Sequence, residues 1–151
     1  MDIKDKLGEI YSEALSEVLT TVAGLNLNVQ CREPDSRFDD VTGVMYLNGN
    51  NTGMLFVTAK EPDIRKICGK MIGSSADEIS DDEADDAMCE LVNMTAGSAK
   101  LRLIKTDYMF SLLQPFVIKG NDVSIVTKNI TKIDAGVLSD GEISIRFKVV
   151  Y

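Results

Sequence analysis

Hydrophobic residues recur at helical spacing in three stretches of the chain. The first covers residues 3–23 and is followed by Gly24, and a shorter one opens at Pro62 and ends at Gly73. The longest runs over 80–105 without a proline. Proline at the first helical position and glycine just after a periodic stretch are typical helix boundaries. The pattern therefore predicts two long helices and one short helix.

Between and after these helices, alternating and β-branched residues favour strands. The predicted strands cover residues 27–32, 41–47, 53–58, 110–118, 123–127 and 142–150, and 129–138 is expected to be less regular. Hairpin-type turns occur at 48–51 and at Asp140-Gly141. Because hairpins join antiparallel strands, we predict an α+β fold: an antiparallel sheet of about six strands packed with three helices.

The two halves of the chain share one order of elements, a long helix and then about three strands, with the short helix between them. The spacing of an acid, a polar residue and a glycine also occurs in both long helices: Glu17, Thr20 and Gly24, then Glu90, Asn93 and Gly97. We interpret the chain as two pseudo-duplicated halves. With so few matched positions, coincidence is the alternative.

The last predicted helix has a well-marked start and two contrasting faces. Ser80 and Glu83 form the S-x-x-E pattern of a capping box. At about 100° per residue, one side collects apolar residues that should face the core: Met88, Leu91, Val92, Thr95, Ala99 and Leu103. The opposite side carries Asp86, Glu90, Asn93 and Gly97. We call these last four residues the motif row.

Two interpretations of the motif row are open. It is an ordinary solvated face whose Gly97 lets a neighbouring element pack closely, or it is a functional surface that needs its backbone approachable. Glycine costs about 1 kcal/mol relative to alanine inside a helix, so its presence at position 97 calls for a reason. Leu101 and Ile104 continue the row, and we expect them to contact the core or a second subunit.

Composition limits the possible functions. The 151 residues are enough for one domain over 1–151, and the formal net charge of −8 disfavours binding to nucleic acid or to an anionic membrane. No apolar run approaches the ~20 residues of a membrane span, and the N-terminus lacks a signal-peptide pattern, so we expect a cytoplasmic protein. The three cysteines, Cys31, Cys68 and Cys89, are predicted to be reduced and structural.

The chain contains no histidine. This excludes Ser-His-Asp and Cys-His hydrolases and zinc sites with histidine ligands. Catalysis would therefore use carboxylates, amides, hydroxyls, lysine or an oxygen-held metal.

The run Asp86-x-x-x-Glu90-x-x-Asn93-x-x-x-Gly97 resembles the signature of the CheC/CheX family of chemotaxis phosphatases. The local sequence ELVNMTAG, residues 90–97, is most similar to the CheX branch. Similar segments in that branch correspond to the KMIG end of the short helix and to QPFVIKG, residues 114–120. The resemblance covers the order of elements over nearly the whole chain, so it implies a CheX/CheC-like fold.

The resemblance also implies a function. Members of the family hydrolyse the phospho-aspartate of a CheY-like response regulator. Glu90 would contact the regulator's conserved lysine, Asn93 would position the attacking water, and Gly97 would keep the helix surface low. Asp86 stands at the head of the motif, with no firm role, and is expected to contact the partner. The regulator would supply the Mg²⁺, so no metal or cofactor of this chain's own is expected.

The resemblance implies one active site and a homodimer. CheC carries two motifs, whereas here Thr20 replaces the amide in the first helix, so we predict that this helix is inactive. The alternating strand near 142–149 is compatible with sheet extension by a second subunit.

Two other functions stay open. A non-catalytic adaptor would bind a receiver domain or a flagellar or receptor component through the same surface without turnover. A purely structural acidic domain would have the motif row as solvated surface.

Overall fold

The computed structural model describes residues 2–31 and 33–151. The end of the first predicted strand, Arg32, lies outside the described residues, as does the side chain of Cys31.

Three α-helices form where the periodicity predicts them: α1 (Leu7–Ala23), α2 (Glu61–Ile72) and α3 (Asp81–Arg102). A 3₁₀ turn, Ile3–Lys6, precedes α1, and another, Ala76–Glu78, lies in the acidic connector before α3. Gly24 and Gly73 follow α1 and α2 in the left-handed conformation, with φ of 64° and 73°. The predicted ends of α1 and α2 are therefore confirmed, whereas α1 begins four residues later than predicted, after the 3₁₀ turn, and α3 stops three residues early.

The described residues form seven strands: β1 (Asn28–Cys31), β2 (Val41–Gly49), β3 (Gly53–Ala59), β4 (Phe110–Leu112), β5 (Phe116–Lys119), β6 (Ile133–Ser139) and β7 (Ser144–Val150). The predicted strand over 110–118 is two strands, because Pro115 has no N–H to continue the ladder. The predicted strand over 123–127 is wrong, since that segment makes only an isolated bridge between Ser124 and Arg37.

All strands join one antiparallel sheet in the order β1-β6-β7-β3-β2-β4, with β5 also pairing with β2. Exchanging β1 with β5, β2 with β6 and β3 with β7 reproduces that order in reverse, with β4 as an addition. Helix α1 packs over β6 and β7, whereas α3 packs over β2 and β3. Each long helix therefore lies mainly on strands of the other half, and this symmetry agrees with the predicted pseudo-duplicated halves.

Strand β7 pairs with β3 on one side and with β6 on the other. It is an interior strand, so the expectation that it could extend the sheet into a second subunit is wrong. The open edges belong to β1 and to the pair β4 and β5.

The main core lies between the three helices and one face of the sheet. The alternation predicted for the last strand is confirmed, since Ile145, Phe147 and Val149 are buried there. A smaller cluster on the other face contains Phe38 and Phe56, whose ring centroids are 5.0 Å apart. The sheet is thus covered on both faces, and α3 stands on the thicker side with its outer face free.

Cys68 and Cys89 are free thiols, buried and half-buried respectively. Burial is the main cause that raises the pKa of both thiols, and nearby carboxylates add to it. Both therefore stay protonated at neutral pH. Among the described residues, no helix is long and apolar enough to cross a membrane.

Candidate functional site

The start of α3 is held by the predicted capping box. The Ser80 hydroxyl accepts a hydrogen bond from the Glu83 N–H at 3.1 Å, and the Glu83 carboxylate accepts one from the Ser80 N–H at 3.0 Å. This second bond is the main cause that lowers the pKa of Glu83. Arg65 of α2 donates to the Ile79 carbonyl and pairs with Asp81. The first turn of α3 is therefore fixed in position against α2.

The inner face of α3 is the one predicted. All six residues assigned to the apolar side are buried: Met88, Leu91, Val92, Thr95, Ala99 and Leu103. Gly43 of β2 lies beneath this face, where an added Cβ would be 3.1 Å from the side chains of Met88 and Val92. The glycine lets the sheet approach the helix closely. Packing therefore sets the rotation of α3 and turns the motif row away from the core.

The motif row lies on the outer face of α3. Asp86 and Glu90 are exposed, and Asn93 and Gly97 are half-buried. Within residues 2–31 and 33–151, neither Glu90 nor Asn93 makes a side-chain hydrogen bond or ion pair; the contacts of α3 involve other residues. The Asn93 amide is not sealed in the interior either. The acid and the amide are thus available to another molecule.

The surroundings of Gly97 test one part of the first interpretation, that this glycine lets a neighbouring element pack closely. A Cβ at Gly97 would meet nothing within 4 Å, so no described part of the chain packs against it. The interpretation that this glycine serves close packing within the chain is therefore wrong. The glycine leaves a low place on the helix surface, about 6 Å along the axis from Asn93 at 1.5 Å per residue.

Charged groups flank the row without neutralising it. Lys119 of β5 donates to the Asp85 carboxylate at 3.3 Å, and this bond is the main cause that raises the pKa of Lys119. Arg102 near the end of α3 pairs with Glu13 and Glu17 of α1. Lys119 and Arg102 are therefore paired with carboxylates outside the motif row.

Three exposed apolar side chains at the helix ends were not predicted as such: Leu101, Ile104 and Ile72. Leu101 and Ile104 lie outside the core, 72% and 49% exposed, so their predicted core contact is wrong and contact with a second subunit stays a prediction. Ile72, at the end of α2, is 54% exposed and lines a groove beside Asp86. The sequence signal was slight: an apolar residue one position beyond the buried stripe of α2.

The arrangement suits chemistry on a partner better than chemistry on a small molecule held by this chain. An amide and a carboxylate three positions apart lie about one turn apart on one face, so a single docked helix presents both. In the part of the chain that the structure describes, no three cysteine, aspartate or glutamate side chains come together as a metal site.

Comparisons with known proteins agree with this fold. A CheC-like superfamily protein from Shewanella sp. PV-4 is 25% identical, with a TM-score of 0.81 over 99% of this chain and 98% of that one. The chemotaxis protein CheX from Desulfovibrio desulfuricans is 23% identical, with a TM-score of 0.79 over 97% and 99%.

The CheX in a CheX–CheY–BeF₃–Mg²⁺ complex from Borrelia burgdorferi is 18% identical, with a TM-score of 0.75 over 94% of this chain and 95% of that one. A search of curated proteins found no match. Residues 41–135, more than half of the chain, match the family model for chemotaxis phosphatase CheX. The chain therefore belongs to the CheX family of chemotaxis phosphatases.

Proposed function

We propose that this protein hydrolyses the phospho-aspartate of a CheY-like response regulator and acts in the cytoplasm. The observation that carries the proposal is the unpartnered pair Glu90 and Asn93, one turn apart on the outer face of α3 beside the open surface of Gly97. The Borrelia complex supports the choice of partner, since that structure contains CheX together with CheY, BeF₃ and Mg²⁺.

In the proposed reaction, α3 docks with Asn93 over the receiver's phosphorylated pocket. The amide holds a water molecule in line with the bond between phosphorus and the aspartate oxygen. The water oxygen bonds to phosphorus as that bond breaks, which releases inorganic phosphate and a free aspartate. An acyl phosphate is already activated, and phosphoryl transfer depends mainly on positioning and charge stabilisation, so an amide suffices without a histidine base.

Glu90 has a docking role in this proposal. Its carboxylate pairs with the receiver's lysine and sets the register in which Asn93 enters the pocket. The receiver supplies the Mg²⁺, which stabilises charge on the phosphoryl oxygens. Gly97 lets the receiver's surface come close to the helix backbone.

The test is dephosphorylation of a panel of phosphorylated receivers in the presence of Mg²⁺, with and without the protein. We expect at least one receiver to lose phosphate much faster when the protein is present. Saturable binding of a receiver without acceleration would make the protein an adaptor instead. Failure to bind any receiver, with Glu90→Ala and Asn93→Ala both neutral, would leave a structural role.

We also propose a homodimer, as the family resemblance implies. The edge formed by β4 and β5 carries exposed apolar side chains, with Leu112 and Phe116 39% and 48% exposed. An apolar sheet edge is a site of association. We expect light scattering to give the mass of a dimer and Phe116→Ser to give a monomer; a wild-type monomer at high concentration would contradict the proposal.

A further inference from the structure

A groove of about 320 Å³ runs between the last turn of α2 and the first half of α3. Its two walls differ in chemistry. Met71 and Ile72 of α2 supply an apolar wall, and Asp86, Ala87 and Glu90 of α3 supply an acidic wall. Glu90 belongs both to this groove and to the motif row, so the groove is continuous with the proposed docking surface.

The carboxylates of the groove differ in what they already bind. Glu83, which also lines the groove, accepts the N–H of Ser80 and is used by the helix cap. The side-chain carboxylates of Asp86 and Glu90 make no hydrogen bond or ion pair with any residue in 2–31 or 33–151. Two carboxylates about one turn apart thus face the same groove without a cation.

The basic residues of α2 do not fill that need. Arg65 binds Glu61 and Asp81, and Lys66 lies 3.9 Å from Glu142. Lys70 does not line the groove, and its charge helps to lower the pKa of Asp140 instead. The basic residues in the described part of α2 therefore lie beside other carboxylates. None of them forms an ion pair with the acidic wall of the groove.

A long basic side chain matches both walls. Lysine and arginine lay an apolar stem along hydrophobic surface while the charged head stays at the polar rim. Here the stem would lie on Ile72 and Met71, and the head would reach Asp86. An arginine could in addition bind a carboxylate with two parallel hydrogen bonds.

We propose that this groove binds a basic side chain on the receiver's surface, a second one beside the lysine assigned to Glu90, and so selects which receiver is hydrolysed. This inference rests on the proposed function. It gives Asp86 a recognition role: Asp86 and Ile72 decide affinity for the receiver, whereas Asn93 decides turnover once the receiver is bound.

The experiment measures two quantities for each variant: the Kd for the BeF₃-loaded receiver with Mg²⁺, and kcat for dephosphorylation. The charge reversal Asp86→Lys is expected to raise Kd about tenfold or more, and the milder Asp86→Asn and Ile72→Ser about threefold, all with kcat unchanged. Asn93→Ala should instead lower kcat while its Kd stays near the wild-type value.

Asp82→Asn is the matched control. Asp82 is exposed, lies one turn before Asp86 on the same helix, and does not line the groove. Its replacement should leave Kd and kcat unchanged, so that a general loss of negative charge on α3 is separated from loss of the groove. Thermal unfolding of every variant checks that the fold is intact.

A compensating change identifies the occupant. Lysine and arginine residues around the receiver's phosphorylated pocket are replaced one at a time by glutamate and tested against Asp86→Lys. One receiver variant should recover most of the lost affinity.

The outcomes separate the two proposals. Wild-type Kd in Asp86→Lys and Ile72→Ser, with normal turnover, would overturn the groove and leave the phosphatase. Raised Kd in these variants with no turnover by the wild-type protein would overturn the phosphatase and retain the groove as a binding site. Absence of any receiver binding would overturn both.

Discussion

The two long helices carry the same spacing of acid, polar residue and glycine, but use it differently. In α1 all three residues serve the protein itself. Glu17 pairs with Arg102 and accepts from the Ser98 hydroxyl at 3.4 Å. The Thr20 hydroxyl lies 3.0 and 2.9 Å from the carbonyl oxygens of Ser16 and Leu25. Gly24 is the left-handed residue that ends the helix.

In α3 the corresponding residues make no comparable contacts within the described chain. Glu90 and Asn93 have no side-chain partner among residues 2–31 and 33–151, and Gly97 sits inside the helix rather than at its end. The comparison teaches that spacing alone does not make a site. A motif can bind another molecule when the tertiary structure leaves its polar side chains without partners inside the protein. The two halves of this pseudo-duplicated fold differ in that respect.

The largest expected effect comes from the two middle positions. Asn93→Ala should lower kcat for dephosphorylation on the order of 10²-fold, because water positioning is lost. Thr20→Ala should leave kcat unchanged, since that hydroxyl bonds only within α1 and its following loop. Rapid chemical quench on a phosphorylated receiver measures both. Equal losses in the two variants would erase the distinction between the helices.

The glycines should separate docking from stability. Gly97→Leu is expected to raise the KM for the phosphorylated receiver about tenfold, because a side chain would fill the low place on the helix surface. The same change should not destabilise the protein, since glycine is the poorer helix former by about 1 kcal/mol.

Gly24→Ala should do the opposite. A φ of 64° is strained for alanine, so we expect a loss of about 1 kcal/mol in the free energy of unfolding and an unchanged KM. Urea unfolding gives the free energy of unfolding of both variants, and steady-state kinetics give their KM values. A destabilised Gly97→Leu with normal KM would show that position 97 is structural after all.

Glu90 and Glu17 should show the same contrast with smaller effects: one replacement weakens receiver binding and the other weakens the fold. Glu90→Ala is expected to raise the receiver's Kd about fivefold and to leave stability unchanged. Glu17→Ala should leave Kd unchanged and cost at most about 1 kcal/mol of stability, since its ion pair with Arg102 is partly exposed. Titration calorimetry and chemical unfolding measure the two effects. A larger loss of unfolding free energy in Glu90→Ala than in Glu17→Ala would contradict the comparison.

The smallest effect concerns pH and the helix starts. The Ser80 N–H bond lowers the pKa of Glu83 below its ordinary value of 4.5. The ionised carboxylate therefore adds stability that is fully present above pH 4.5 and is lost as pH falls through the lower folded-state pKa. Unfolding monitored between neutral and acid pH should show a shallower loss in Glu83→Gln. No such contribution is expected at the start of α1, whose N-cap Lys6 makes no side-chain capping bond.

Local rules were sufficient for the helices and for the motif row. The cap of α3 follows from Ser80 and Glu83, and its rotation follows from the apolar stripe beginning at Met88. Both signals lie within a few turns of one helix, where spacing and burial are directly linked.

The strands depended more on partners distant in sequence. The segment 129–138 was predicted to be less regular, yet strand β6 within it is fixed by pairing with β1 on one side and β7 on the other. Gly136 also gives room to the ring of Phe147, since a Cβ there would lie 2.6 Å from it. The opposite error concerns 123–127, where alternation is real but Ile125 packs on the smaller cluster outside the sheet.

The groove between α2 and α3 could not be predicted from local patterns. Ile72 and Asp86 are fourteen positions apart in sequence, on different helices, and come to one groove because α2 packs against α3. The apolar stripe of α3 predicted that Asn93 faces outward, but whether another part of the chain binds its amide depends on the whole fold.

A crystal structure of this protein with its BeF₃-loaded receiver and Mg²⁺ would show directly where the receiver binds. We expect Asn93 to enter the receiver's pocket, with its amide within hydrogen-bond distance of a water in line with the beryllium, and Glu90 to contact the receiver's lysine. A complex in which the receiver sits elsewhere and leaves Asn93 in solvent would contradict the proposed function.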